Sequence, residues 1–316
     1  MEYLFSILDK ILFIIALMGT GVLAKRRGWI TDAGERDLSV LSVDFIWPCM
    51  IFSSVSTSLT RDDIVSNLSL PLLIVIMHVA GYLVGLLLCR FTGYSGDRRR
   101  MFLFHATMNN FLVMALPFVQ FFFPQKGVAL LAVANLGSIV CLWTLGVFII
   151  AGSQDFKTTV KNVFSPGMIA IIASILCVVT GINRHIPVLV TDIMHIVGQP
   201  TMLIGLMVAG CRIYELGFRA LKFDGWNLLV GLSRNIIVPG LAILAALALR
   251  GRISDEALVV FCIVGITPAS VNSVTLGLKF NTSPELAAEG VIFTHILAIG
   301  TMVAYVALIE RLFLSV

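Results

Sequence analysis

The chain has 316 residues and a formal net charge of +4, with 58% hydrophobic and only 13% charged residues, and its mean hydropathy is +0.99. That composition excludes a soluble globular enzyme and predicts an integral membrane protein. Its polar stretches, such as Ser153 to Lys161 and Thr31 to Arg36, are connector-sized, which leaves no room for a nucleotide-binding or catalytic domain outside the bilayer.

An apolar helix of about 20 residues crosses a bilayer, and in chain order the sequence offers about ten. Leu4 to Ala24 comes first. It has acidic Glu2 and Asp9 early and ends in Lys25-Arg26-Arg27, the reverse of a cleavable leader, so it reads as a retained span. Leu38 to Ser56 follows, with Asp44 one helical turn before Pro48, then Leu68 to Cys89. The fourth span, Met101 to Phe123, is unusually polar, with His105, Asn109 and Asn110 ahead of Pro117. Gly127 to Gly152 completes a first half, residues 1–152, and a short connector, 153–165, leads to a second half, 166–316. There the spans are Gly167 to Gly181, Val188 to Cys211, Trp226 to Leu249, Ala257 to Leu278 and Leu286 to Leu312. Asp192, His195 and Gln199 interrupt the start of the seventh, and Arg234 stands five residues before Pro239 in the eighth.

Basic residues set the sidedness, because cytoplasmic loops are enriched in Lys and Arg. With Arg234 inside a span, the remaining Lys and Arg divide 14 to 7 in favour of the loops after spans 1, 3, 5, 7 and 9, which puts both termini on the non-cytoplasmic side. Five spans per half then make the second half enter the membrane from the opposite face, so a duplication has inverted topology. Proline placement agrees, with Pro48 and Pro200 separated by 152 residues and Pro117 and Pro268 by 151. A proline removes a backbone donor and breaks a helix, which lipid tolerates only where freed carbonyls find a partner, a ligand or water. Matching interruptions in the two halves point to a transporter. The expected fold is therefore all-α, about ten transmembrane helices in two inverted five-helix repeats, with helices 4 and 9 broken and crossing.

The candidate substrate site lies at that crossing. In span 4, Asn109 and Asn110 accompany Pro117; in span 9, Thr267, Pro268, Ser270, Asn272 and Ser273 form a comparable run. Two half-helix N-termini there would present N–H groups and positive dipole ends to an anion, while amides and hydroxyls supply further donors. Asp44, His105 and Arg234 are candidates for coupling or gating, since ionisable groups inside spans are costly and functional by default. The alternative for Arg234 is a structural pairing with a carbonyl or Asp44. No cofactor or metal is expected: the six cysteines are scattered singly and the histidines form no metal spacing. The Arg98-Arg99-Arg100 run reads as a headgroup anchor, not a nucleic-acid patch. No Ser/Lys pair, carboxylate pair or HExxH motif suggests hydrolysis.

On these residues the chain resembles the auxin efflux carrier family, the membrane transport proteins that include plant auxin exporters and bacterial carriers proposed for malonate, malate and other organic acids. The likeness covers essentially the whole chain. It rests on the polar span 4 ending in Ala115-Leu116-Pro117, on Arg234-Asn235-Ile236-Ile237-Val238-Pro239, and on Thr267-Pro268-Ala269-Ser270 through Lys279-Phe280-Asn281. Arg234 fills a place that is commonly Lys in the family. The sequence departs from the pattern in lacking glycines around Met108-Asn109-Asn110-Phe111 and in carrying Asp44 where many relatives look to have Asn. Its connector, Ser153 to Ser165, is far shorter than the loop of plant exporters, which favours a bacterial organic-acid carrier in the cytoplasmic (inner) membrane. The resemblance implies inverted repeats, crossing broken helices and a homodimer in which one part moves against a dimer-forming part. The expected function is secondary transport of a small mono- or dicarboxylate by alternating access, with H+ or Na+ coupling left open. A sodium-coupled carrier like the bile-acid symporters or a cation/proton antiporter is the nearest alternative, and a non-transporting membrane sensor is the alternative of another class.

Overall fold

The computed structural model describes residues 2–152, 160, 163–216 and 222–314. It is all-helical, and the extended pairing among the described residues is confined to two isolated bridges, Asn109 with Ala269 and Arg250 with Ile253. The helices are α1 (Glu2–Arg26), α2 (Asp32–Leu41), α3 (Trp47–Ser58), α4 (Arg61–Ser66), α5 (Ser69–Thr92), α6 (Gly96–Thr107), α7 (Phe111–Phe122), α8 (Gly127–Cys141) and α9 (Val147–Ala151). They continue with α10 (Pro166–Thr180), α11 (Val188–Gly198), α12 (Thr201–Leu216), α13 (Gly225–Gly231), α14 (Val238–Leu249), α15 (Asp255–Gly265), α16 (Asn272–Lys279) and α17 (Pro284–Phe313). Single π-turns, Ser42–Ile46, Leu142–Gly146 and Leu232–Ile237, join α2 to α3, α8 to α9 and α13 to α14 into continuous rods. Among the described residues, six helical runs are long and apolar enough to cross a membrane.

Local chemistry explains many boundaries. Thr31 caps α2, a Thr60–Asp63 capping box starts α4, and Ser165, Asp224, Ser254 and Ser283 accept N–H groups at the starts of α10, α13, α15 and α17. Left-handed glycines, Gly93 and Gly181, end α5 and α10. Pro200 separates α11 from α12, whereas Pro48 sits at the start of α3 directly after a π-turn.

Packing runs across the two halves of the sequence. α1 lies on α12, while α3 lies on α10 and α11; α5, α8, α6, α15 and α17 form a second set of neighbours. The core of this second set includes α8 and α15, whose residues from Ala129 to Ala134 and Ala257 to Val264 are all buried. The α1–α12 contact is backbone to backbone. A Cβ on Gly21 would stand 2.0 Å from the Met207 carbonyl oxygen, and one on Gly210 would stand 1.9 Å from that of Met18. At the end of the same pair Lys25 Nζ meets Asp32 (2.7 Å), Glu35 (2.8 Å) and Glu215 (2.5 Å), and Arg212 Nε meets Glu35 (2.6 Å). Glu35 is only 1% exposed while Asp32 is 92% exposed, so this cluster ties α1, α2 and α12 through a buried Lys25–Glu35 pair with a solvated rim.

Candidate functional site

Two helices break and cross. Between α6 and α7 the backbone is non-helical at Met108–Asn110, extended at Met108, and between α15 and α16 it is non-helical from Ile266 to Val271. The non-helical pieces form one antiparallel bridge, in which Asn110 N donates to Pro268 O (2.8 Å) and Ser270 N donates to Met108 O (3.0 Å). Pro268 has no N–H and biases Thr267 away from helix, which accounts for the second break. The first has a different cause. Asparagine amides compete for backbone partners, and Asn109 Nδ2 donates across the crossing to Val264 O (2.7 Å) while Asn110 Nδ2 donates to His295 (3.1 Å).

Pro117 is the correction. The sequence reading placed a helix break and part of the site there, but Pro117 lies inside α7, half-buried, seven residues past Asn110. The residues opposite Pro268 are Met108 to Asn110. The two breaks therefore do not correspond through the Pro117–Pro268 pair, and α7 absorbs its proline within a continuous helix.

Carbonyls freed at the crossing are matched by buried donors. Arg234, fully buried on the π-turn between α13 and α14, donates from Nε to Thr267 O (3.0 Å) and from Nη2 to Gly265 O (2.5 Å). Thr267 Oγ1 joins Asn109 on Val264 O (2.8 Å), and Ala269 N donates to Thr294 Oγ1 (3.3 Å). Asn235 Nδ2 reaches Thr294 O (3.0 Å), which fixes α17 against the same turn. On the other side, a Cβ on Gly81 of α5 would stand 2.5 Å from Ala106 O, so only glycine lets α5 lie so close to the end of α6.

Two histidines flank the pair of asparagines. His295 Nδ1 is 2.8 Å from Val291 O, and His78 Nδ1 is 2.7 Å from Ile74 O. A carbonyl only accepts, so each Nδ1 carries a proton, and in the neutral form of each ring Nε2 is an acceptor. For His295, that acceptor takes the Asn110 amide.

The site therefore gathers Asn109, Asn110, Thr267, Pro268 and Ser270, all at the bridge. Ser273 is buried with no described partner for its hydroxyl, and Asn272 is exposed at the first position of α16. Ser270 Oγ accepts from Asn272 N (3.3 Å). Both α7 and α16 begin at the crossing, so their N-terminal N–H groups and dipole ends meet there. Arg234 adds a full positive charge. It has no ion pair among the described residues, and its Nη1 has no described hydrogen bond.

Other candidates fall elsewhere. Asp44 is exposed on the Ser42–Ile46 π-turn beside exposed Val43 and Phe45, with no described bond to the crossing, so the Arg234–Asp44 pairing is not formed. His105 is buried at the foot of the site, edge-on to Trp226 at 6.0 Å, in a space left by Gly290, whose Cβ would stand 2.5 Å from its ring. Next to that glycine, Glu289 pairs with Lys222 of the segment before α13 and raises the Lys222 ammonium above its ordinary range. The sequence reading did not single out Asn235 and Thr294 as site residues; the signal was a polar residue held inside an otherwise apolar run.

Two comparisons with known proteins bear on this arrangement. Residues 6–159 match the family model described as membrane transport protein. Over 298 residues the chain is 22% identical to the uncharacterized transporter MJ1031 of Methanocaldococcus jannaschii, an alignment spanning 91% of this chain and 94% of that protein.

Proposed function

This chain belongs to the membrane transport protein family, to which the auxin efflux carriers also belong, and from that premise we propose that it is a secondary carrier of small organic anions. The substrate, a mono- or dicarboxylate, binds at the crossing of the two broken helices, and alternating access moves it across the bilayer. The single observation that carries the reading is Arg234. A guanidinium that is 0% exposed, bonded to two carbonyls at the C-terminal end of α15 and to no carboxylate among the described residues, leaves a net positive charge at the crossing. Buried charge without a partner is strongly disfavoured, so such a place recruits an anion. Asn272, Ser270 and Ser273 are the donors nearest the start of α16, and Asn109, Asn110, Thr267 and Pro268 hold the frame.

The architecture we assign is ten spans in two inverted repeats, residues 1–152 and 166–316 joined by 153–165, with both termini outside the cytoplasm and a homodimeric assembly. The neighbour pattern supports the repeats: α1 on α12 is matched by α10 on α3, α5 on α8 by the α13–α14 rod on α17, and α7 on α8 by α16 on α17. Arg234 also argues against sodium coupling. Carbonyls released by a helix break are natural cation ligands, and here Gly265 O and Thr267 O are taken by a guanidinium.

Uptake and counterflow in proteoliposomes with radiolabelled carboxylates, with pH and sodium gradients imposed separately, test the reading. Counterflow of at least one carboxylate is expected. Tight binding without flux would overturn the carrier and favour a sensor, and flux that requires sodium would overturn the assignment of Arg234.

A further inference from the structure

We infer that His295 is the proton-binding group of this carrier, taking up one proton together with each anion; the inference rests on the anion-carrier reading above. The geometry fixes the starting state. His295 Nδ1–H is held by Val291 O at 2.8 Å, and Nε2 accepts from Asn110 Nδ2 at 3.1 Å. Asn110 is the residue immediately before α7, its own N–H is tied to Pro268 O at 2.8 Å, and its side chain caps no helix N–H. With His295 neutral, the amide of Asn110 is turned away from ligand duty and its Oδ1 accepts no described hydrogen bond.

Protonation reverses this. An imidazolium donates from both nitrogens. Nδ1–H keeps Val291 O, but Nε2–H then faces the Asn110 NH2, donor against donor. The amide has to rotate so that Oδ1 accepts from Nε2–H, and its two N–H bonds swing out beside the open N-terminus of α7. One proton thus turns an occupied donor into an available one and adds a positive charge to the site. In the buried crossing, where Arg234 is already charged, a second cation is costly unless an anion arrives with it. Coupling is reciprocal: the anion favours the proton as much as the proton favours the anion. The balance is one proton bound to Nε2 on loading and the same proton released on unloading, so a monocarboxylate crosses as a neutral pair.

The surroundings supply no competing partner among the described residues. α6 contributes His105 and the π-turn before α14 contributes Arg234, neither of which is an anion. On α17 itself, Glu289 is engaged by Lys222. α15 carries its acids, Asp255 and Glu256, in its first turn at the end away from the break, and the described charges of α1 and α12 near their ends lie in the Lys25 cluster. α7, α13 and α16 place no described charged side chain toward the ring.

The test uses the full chain in lipid nanodiscs, with pyruvate, lactate and malonate as probes. Isothermal titration in two buffers of different ionisation enthalpy counts protons taken up, and the affinity profile is followed from about pH 6 to 8. Pyruvate and lactate do not themselves titrate there. Wild type is expected to take up about one proton per pyruvate and to lose up to tenfold in affinity per pH unit as pH rises. His295→Gln is expected to bind without proton uptake and with a flat profile, whereas exposed His185→Gln keeps the wild-type count. Binding of wild type without proton uptake overturns the inference but leaves the carrier reading intact. Uptake that persists in His295→Gln, or that disappears in His78→Gln or His105→Gln instead, also overturns it. If no probe binds at any pH, the carrier reading fails and this inference falls with it. The proton count is read on wild type, so a variant that does not fold leaves the test standing.

Discussion

Replacing Arg234 by Gln separates the two jobs of that residue. The side chain makes two charge-assisted bonds, to Thr267 O at 3.0 Å and Gly265 O at 2.5 Å, from a position 0% exposed. Bonds to charged groups contribute about 1.5–3 kcal/mol each and neutral ones about 0.5–1.5, so a glutamine amide that keeps both costs about 2 kcal/mol of stability. The electrostatic loss is felt by the ligand. A carboxylate about 6 Å from a unit charge, at an effective dielectric constant of about 20, gains about 3 kcal/mol, and removing the charge weakens binding about 100-fold. Arg234→Lys keeps the charge but not the planar fork, and is expected to stay within about tenfold of wild type while melting a few degrees lower. The assay pairs a thermal-shift curve in detergent with equilibrium binding of a radiolabelled carboxylate. A Gln variant that folds and binds with wild-type affinity would refute Arg234 as the attracting charge. If the Gln variant does not fold, Lys carries the test: a folded Lys variant with no binding would show that geometry, not charge, is what the site needs.

Other outcomes follow from the contacts described. Gly210→Ala places a Cβ 1.9 Å from Met18 O, where real contacts stay above 3.0 Å, so α1 and α12 must part by about 1 Å; a loss of about 2–3 kcal/mol is expected in the melting curve, and an unchanged curve would contradict the close approach. Lys25→Met leaves Glu35 and Glu215 with Arg212 alone and is expected to cost about 2 kcal/mol, between the values for exposed and fully buried pairs, read by the same curve. Asn272→Ala removes an exposed side chain at the start of α16, so stability should hold while carboxylate affinity drops several-fold; a drop in melting temperature with unaltered affinity would move the ligand elsewhere. Lys222 is raised by its bond to Glu289, so that pair is fully present below the ordinary lysine range and is lost only as pH climbs through the raised value. Lys222→Met should therefore leave the pH profile of transport near neutrality unchanged, and a shifted profile would place the pH response at this pair.

Much of the crossing was legible because its chemistry is local. Pro268 cannot donate and pushes Thr267 out of helix, so a break there is written in the dipeptide. The break at Met108–Asn110 was harder to place, because what pulls those residues out of helix is Val264 O and His295, more than 150 residues away in the chain. Pro117 was the louder local signal, and α7 tolerates it. Arg234 was recognised as a residue with a task, but its partners were not, since whether a buried cation meets a carboxylate or a carbonyl depends on which span packs beside it. Asp44 shows the converse: a carboxylate inside an apolar run draws attention in sequence, yet its π-turn faces it outward. Two of the π-turns, Ser42–Ile46 and Leu232–Ile237, end two residues before a proline, Pro48 and Pro239, whereas Leu142–Gly146 carries no such local mark.

The close backbone approaches of Gly21 to Met207 and of Gly210 to Met18 say something about how such a molecule would divide if it moves. Two helices touching this closely through backbone resist sliding, so α1 and α12 are expected to travel as one piece although they lie in different halves of the sequence. Whatever line separates a moving body from a stationary one therefore cannot run through the connector between residues 152 and 166. It has to cut each half in two and join the severed portions across the gap, as two hands clasp with fingers from both. Genes for residues 1–152 and 166–316 expressed separately would then be incomplete bodies, each missing the helices that its partner supplies.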